Sequence, residues 1–215
     1  VAFIFSSKLL GCLMEGNRRN VFEVYNIIGD WFAENRPQNL MEKAYLDKLI
    51  CLIPAGGKIL DVGCGTGFPI LNYFLEKGFN VSGVDASEKM IALARKNFPL
   101  TDFILADMRM LSLAQKYNAI IAWHSFFHLP ASDQKNMFTV FQKHLKPNGI
   151  LIFTSGSTHG EAWGINGGEN LFHASLDTDE YKTLLEEHHF TIIDHVMNDP
   201  ECGKATVWLA QYNPS

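Results

Sequence analysis

The sequence predicts a single α/β domain, a mostly parallel sheet with helices on both faces. Three observations predict it. Short apolar runs alternate with helical periods from Ile59 onward. A glycine-rich turn, Gly63-Cys64-Gly65-Thr66-Gly67, separates the first run from the first helix that follows it. At 215 residues, 47% hydrophobic and 19% charged, the chain is an ordinary globular one with ample material for one core.

The elements follow in order. Val21, Val24, Tyr25, Ile28 and Phe32 recur at helical spacing, and a second helix runs from about Asn39 to Leu52, so residues 20–56 form N-terminal cap helices. Strand one is 58–62. The helix from Pro69 presents Ile70, Leu71, Phe74 and Leu75 inward and stops at Gly78. Strand two is 81–85, and Ser87 caps the next helix, which carries Met90, Ile91, Leu93 and Ala94. Strand three is 102–106 and strand four 119–123. Ser132 starts a helix with Met137, Val140, Phe141 and Leu145 inward, and Pro147-Asn148-Gly149 turns into strand five, 150–154. Residues 155–176, rich in Gly, Ser, His and Asn, show neither period and read as a lid loop. Asp177 and Glu180 form a capping box for a helix to about His188, and strands near 190–196 and 205–211 complete the sheet.

The remaining features limit the function. A net charge of −5 gives no basic footprint, so no nucleic-acid partner is expected. Cys12, Cys51, Cys64 and Cys202 are scattered without metal or redox spacing, which reads as a reduced, cytoplasmic protein. The apolar start from Val1 to Phe5 is interrupted by Lys8 and makes a poor signal peptide. Residues 1–19 read as an N-terminal extension with little role, with Met14 a more ordinary start, and no run approaches transmembrane length.

The glycine turn carries the chemistry. A dinucleotide fingerprint needs Gly-x-Gly-x-x-Gly, and counting from Gly63 puts Phe68 where the last glycine belongs. That argues against NAD. Asp61-x-Gly63-x-Gly65-x-Gly67 instead resembles the first motif of class I, Rossmann-like methyltransferases that use S-adenosylmethionine. Asp85 ends strand two, placed to accept ribose hydroxyls, and Asp107-Met108 follow strand three. The opening segment Tyr25-Asn26-Ile27-Ile28-Gly29-Asp30-Trp31 through Arg36 also resembles small-molecule methyltransferases, and the resemblance runs from about Asn20 to Tyr212.

The resemblance implies a seven-stranded sheet of order 3-2-1-4-5-7-6 with the last strand antiparallel and N-terminal helices over the cofactor cleft. It implies S-adenosylmethionine as cofactor and S-adenosylhomocysteine as product. The residues it assigns to the cofactor are Tyr25, Trp31, Arg36, Asp61, Gly63, Cys64, Gly65, Gly67, Asp85, Ala86, Met90, Asp107, Met108 and Ala122. Arg36 would meet the methionine carboxylate through its forked donors.

Strand four delivers Trp123, His124, Ser125, Phe126, Phe127 and His128 to the carboxyl edge, where ligands sit in such sheets. His124 is the catalytic candidate, a base or orienting residue. The resemblance implies Asp at its place, in an Ala-Trp-Asp-Ser-Phe-Phe-His run, from which His124 departs. Trp123, His128, His159, Glu161, Trp163 and His173 are the candidates for binding a small-molecule acceptor. The four-residue spacing of His124 and His128 lacks the Glu of a helical metal motif, so no metal is expected. The expectation is methyl transfer to an unidentified small molecule by a monomer or homodimer, away from membranes. A non-catalytic cofactor-binding protein and, less well, a nicotinamide-dependent oxidoreductase fit the same residues.

Overall fold

The computed structural model describes Gly16, Arg18 and residues 20–214, so most of the extension expected over 1–19 lies outside the described residues. The chain runs α1 (Val21–Asn35), α2 (Lys43–Leu52), β1 (Lys58–Val62), α3 (Ile70–Glu76), β2 (Asn80–Asp85), α4 (Glu88–Asn97), β3 (Asp102–Leu105) and β4 (Tyr117–Ala122). It continues with α5 (Ala131–His144), β5 (Leu145–Ser155), β6 (Gly160–Asn166), β7 (Glu169–Ser175), α6 (Thr178–Glu187), β8 (Phe190–Asp199) and β9 (Ala205–Tyr212).

Seven strands form one sheet of order β3-β2-β1-β4-β5-β9-β8. Pairing is parallel from β3 to β5, and β9 runs antiparallel to both β5 and β8. With β6 and β7 set aside, this is the expected order. Successive side chains of each strand point to opposite faces, so β1 splits Ile59 from Leu60 and β5 splits Ile152 from Phe153. Ile59 and Ile152 join Leu46 and Leu49 of α2, Leu71 and Phe74 of α3 and Ile91 of α4 in one core. Leu60, Phe153 and Trp208 join Phe138 and Phe141 of α5 and Tyr181 and Leu185 of α6 in the other. Both faces are covered, as parallel pairing requires.

The segment 155–176, expected to be a lid loop, is largely a hairpin, with β6 and β7 pairing as a separate two-stranded sheet. Its turn places Asn166 opposite Glu169, and Gly167 and Gly168 both hold positive φ (56° and 86°), which a two-residue hairpin loop favours. The Gly-Gly pair was a readable hairpin signal. The period was not, because β6 is exposed on both faces and only β7 buries Leu171, Phe172 and Ala174.

Several boundaries also moved: β4 is Tyr117–Ala122 and not 119–123, α2 begins at Lys43 and not near Asn39, and β8 runs on to Asp199. α5 begins at Ala131, after Pro130, one residue before the expected Ser132. β5 begins at Leu145, and the expected Pro147-Asn148-Gly149 turn survives as an irregularity, where the register with β4 jumps from Leu145 to Ile150. The Ser87 cap and the Asp177–Glu180 capping box form as expected.

The hairpin is tied to the sheet domain by a buried polar network. The Tyr181 hydroxyl donates to Gln134 Oε1 (2.6 Å) and accepts from the Leu176 N–H (3.2 Å), while Gln134 Nε2 donates to the Ala174 and Leu129 carbonyls. Removing a buried hydroxyl leaves its partners unsatisfied at about 1–3 kcal/mol. Tyr181→Phe is therefore predicted to lower unfolding free energy by that amount, read from urea denaturation; an unchanged midpoint would show that the network contributes nothing.

Candidate functional site

The carboxyl ends of β1, β2, β3 and β4 open onto one cavity of about 270 Å³, roofed by α1 and by β7. Its floor is the turn after β1. The Gly63 and Cys64 N–H groups donate to the Val84 carbonyl (2.7 and 3.0 Å), joining β1's exit to β2. Gly63 holds φ +78°, and a Cβ there would lie 2.2 Å from Ser125 Cβ. Ser125 Oγ in turn donates to the Val62 carbonyl (2.6 Å), so the ends of β1 and β4 interlock.

Asp85 at the end of β2 accepts from the Gly65 and Ser87 N–H groups (both 2.9 Å). Desolvation raises its carboxyl, and those backbone donors pull it back. Asp61 is buried with a pKa pushed up to about 7 by desolvation, against the pull of the Arg36 guanidinium. Arg36 lies over the Phe32 ring (5.5 Å), and its Nε is buried without a hydrogen-bond partner. Asp107 is gripped by Arg109, whose Nε and Nη2 reach both carboxylate oxygens (2.5–3.0 Å). Burial opposes it, yet this pairing holds the Asp107 carboxyl below its usual range. Met90 is buried at the wall, and Met108 lies on the same lining.

Over the opposite end stand three histidines. His128 Nδ1 faces the Phe172 carbonyl (2.8 Å), which can only accept, so Nδ1 carries the proton and Nε2 accepts from the Tyr25 hydroxyl (3.1 Å). Burial, then the neighbouring His173, pushes His128 down to about 3. His124 holds φ +49°, its N–H donates to Thr154 Oγ1 (2.8 Å), and its ring stacks on Trp123. Burial, then Arg36 and His173, lowers it to about 4. Both rings are neutral near pH 7.

The fold has structural counterparts. A Micromonospora echinaspora amino pentose methyltransferase, solved with S-adenosylmethionine, superposes with a TM-score of 0.68 at 16% identity, covering 86% of this chain and 95% of that one. The Burkholderia thailandensis 1,6-didemethyltoxoflavin N1-methyltransferase, solved with its substrate and S-adenosylhomocysteine, gives 0.68 at 20% identity, covering 91% and 87%. Residues 59–149 match the methyltransferase domain family. The chain has a class I, Rossmann-like methyltransferase fold.

Among sequence relatives, a Streptomyces venezuelae dTDP-3-amino-3,4,6-trideoxy-alpha-D-glucopyranose N,N-dimethyltransferase is 27% identical over 151 residues, 66% of this chain and 63% of that protein. A glycine/sarcosine N-methyltransferase of Parasynechococcus marenigrum is 36% identical over 124 residues, 53% of this chain and 44% of that protein. The chain thus spans less than two thirds of the length of these relatives.

Most residues singled out from the sequence meet in this cavity: Tyr25, Arg36, Asp61, Gly63, Cys64, Gly65, Asp85, Ala86, Met90, Asp107 and Met108, with Trp123, His124, His128 and His173. Six do not line it. Trp31 is exposed beside Gly167. Gly67 abuts Phe98, and Ala122 is buried under the sheet. His159 pairs with Glu180 (2.6 Å), Glu161 with Arg18 (2.5 Å), and Trp163 packs on Phe172, all on the hairpin's flank. Ser125 and Phe127 line the cavity, as the segment after strand four was expected to, while Phe22 and Phe32 were not foreseen there. Helical phase would have found both, because Phe22, Tyr25 and Phe32 share a face of α1 that Trp31 does not. Among the described residues no His/Cys/Asp/Glu group could hold a metal, and no helix is long and apolar enough to cross a membrane.

The neutral histidines predict a pH dependence. His128's folded pKa, about 3, lies below its unfolded value of about 6.5, so its contribution to stability is present above the latter and is lost as pH falls toward the former. His124 acts in the same direction, and the raised Asp61 in the opposite one, losing its contribution as pH rises through about 7. His128→Gln should flatten the fall in urea midpoint below about pH 6.5; an unaltered slope would show that His128 titrates normally.

Proposed function

We propose that this protein transfers a methyl group from S-adenosylmethionine to a small molecule. One observation carries the reading: the Gly63–Gly65 turn, the Asp85 carboxylate bonded to it and the Arg36 guanidinium line a single cavity. The residues present fit such a cofactor. Asp85 can accept two ribose hydroxyls, Met90 and Met108 offer apolar surface to a base, and the unpartnered Arg36 Nε offers a donor to a carboxylate. Asp61 beside Arg36 suits an ammonium group. Asp107 has capacity to accept from an amino group only beyond what Arg109 takes.

When bound, S-adenosylmethionine supplies a methyl group already activated by its positive sulfur. The protein's own work is then alignment and exclusion of water. The Gly63 turn brings backbone close to the ligand, and α1 covers it with Tyr25 and Phe32. His124, neutral and on the wall, orients the acceptor. The acidic balance of −5 supports a small molecule over nucleic acid as acceptor. We place the protein in the cytoplasm, as a monomer or homodimer.

Titration calorimetry with S-adenosylhomocysteine, beside NADH as control, is expected to show micromolar binding of the former alone. Asp85→Ala should weaken it by about 1–3 kcal/mol through the lost hydrogen bonds. Equal affinity in the variant would remove Asp85 from the site, and binding of NADH alone would remove the methyltransferase reading.

A further inference from the structure

Two cavities meet at a wall of rings. Beside the cavity already described lies a second, of about 410 Å³, between the β6–β7 hairpin and the Gly203–Ala205 turn. The two share His124, Phe127 and His173. Phe127 stands 5.7 Å from His124 and 5.4 Å from His173, centroid to centroid, so the three tile one surface.

His124 bears two local costs at this junction. Its backbone is in the left-handed region, uncommon for a residue other than glycine, and its Nε2 is buried without a hydrogen-bond partner. A buried nitrogen left unpaired is costly, and a ligand that pairs with it recovers that cost on binding. The positive φ points the same way, because strained residues persist where their surroundings hold them and cluster at ligand sites.

We propose that the second cavity admits the methyl acceptor, and that this acceptor is flat and uncharged, stacking on Phe127 and His173 while its N–H or O–H donates to His124 Nε2. The proposal rests on the cofactor reading of the first cavity. The shared wall holds rings and no charged side chain, which suits a π-face. Arg36, close enough to help hold the imidazole neutral, disfavours a protonated amine there. Lys204 and Glu161 put both signs on the second cavity's lining, and Glu161 is already paired with Arg18. Nε2 is buried, so the acceptor reaches it by a rotation of the imidazole.

In the transfer, the acceptor heteroatom's lone pair bonds the methyl carbon as the carbon–sulfur pair returns to sulfur. The proton displaced from that heteroatom crosses His124 to water in the second cavity. Burial and the nearby Arg36 disfavour a charged ring, so His124 passes that proton on and does not keep it. His124 is thus an orienting hydrogen-bond acceptor and a relay.

The test is saturation-transfer NMR with benzimidazole and 1-methylbenzimidazole, which differ only in the donor, on protein saturated with S-adenosylhomocysteine to block the first cavity. Benzimidazole is expected to bind about fivefold more tightly, the worth of one hydrogen bond. His124→Gly, which suits the positive φ, should bring the two probes level. Phe127→Leu should weaken both while preserving their ratio. Equal binding in the native protein, no binding of either probe, or a ratio that survives His124→Gly would overturn the proposal. Calorimetry with S-adenosylhomocysteine reads the other cavity separately. Failure there with probe discrimination intact in the ligand-free protein would overturn the methyl-transfer reading and leave the His124 contact standing.

Discussion

The contact on which the rest depends is the close approach of Gly63 to Ser125. β1 and β4 are central neighbours in the sheet, and their exits must pass each other to build a cavity at its carboxyl edge. The space at Gly63 that a Cβ would need is taken by Ser125, and the Ser125 hydroxyl closes back onto Val62. This interlock fixes where the glycine turn lies, hence where Gly65 meets Asp85. It also fixes the start of the segment carrying His124 and His128. Both halves of the site are referred to one point.

A second constraint acts from above. α1 has no place in the sheet and is held as a cover by contacts at its two faces. Asn26 accepts from Ser87 and Lys89 at the start of α4, and Gly29 lies against Lys89. On the other side Val21, Val24 and Ile28 pack against Leu171, Phe172 and Ala174 of β7. The Tyr25–His128–Phe172 chain crosses this seam and binds helix, hairpin and β4 exit together. A neutral His128 is required for it, since a protonated ring could not accept from Tyr25. Burial supplies that neutrality, so the cover and its electrostatics are one arrangement.

The ends of the cavity are chemically distinct for the same reason. Carboxylates gather at the exits of β1, β2 and β3, answered by Arg36 and Arg109, while the exit of β4 carries rings without charge. Charged groups can bind a polar ligand firmly, and neutral rings exclude water where a small group is exchanged.

Much of this was legible in the sequence. Alternating apolar runs and helical periods gave each strand and helix of the main sheet, because their burial writes a regular pattern. Gly63 and Asp85 were legible from their places at the exits of strands one and two, and Asp61 and Asp107 from the family resemblance. The β6–β7 hairpin was not, because β6 is exposed on both faces and so writes no period; only Gly167-Gly168 betrayed it. His159 and Trp163 were misplaced with it, since they turn toward Glu180 and Phe172, while Glu161, paired with Arg18, lines the second cavity and not the first. The sequence by itself determined the sheet, the glycine turn and the acidic groups around it, because local pattern and strand ends specify them. Only the tertiary structure decided which face of α1 meets the cavity, that Arg109 claims Asp107, and that His124 stands unpaired between two cavities, because each depends on residues distant in the chain arriving at one place.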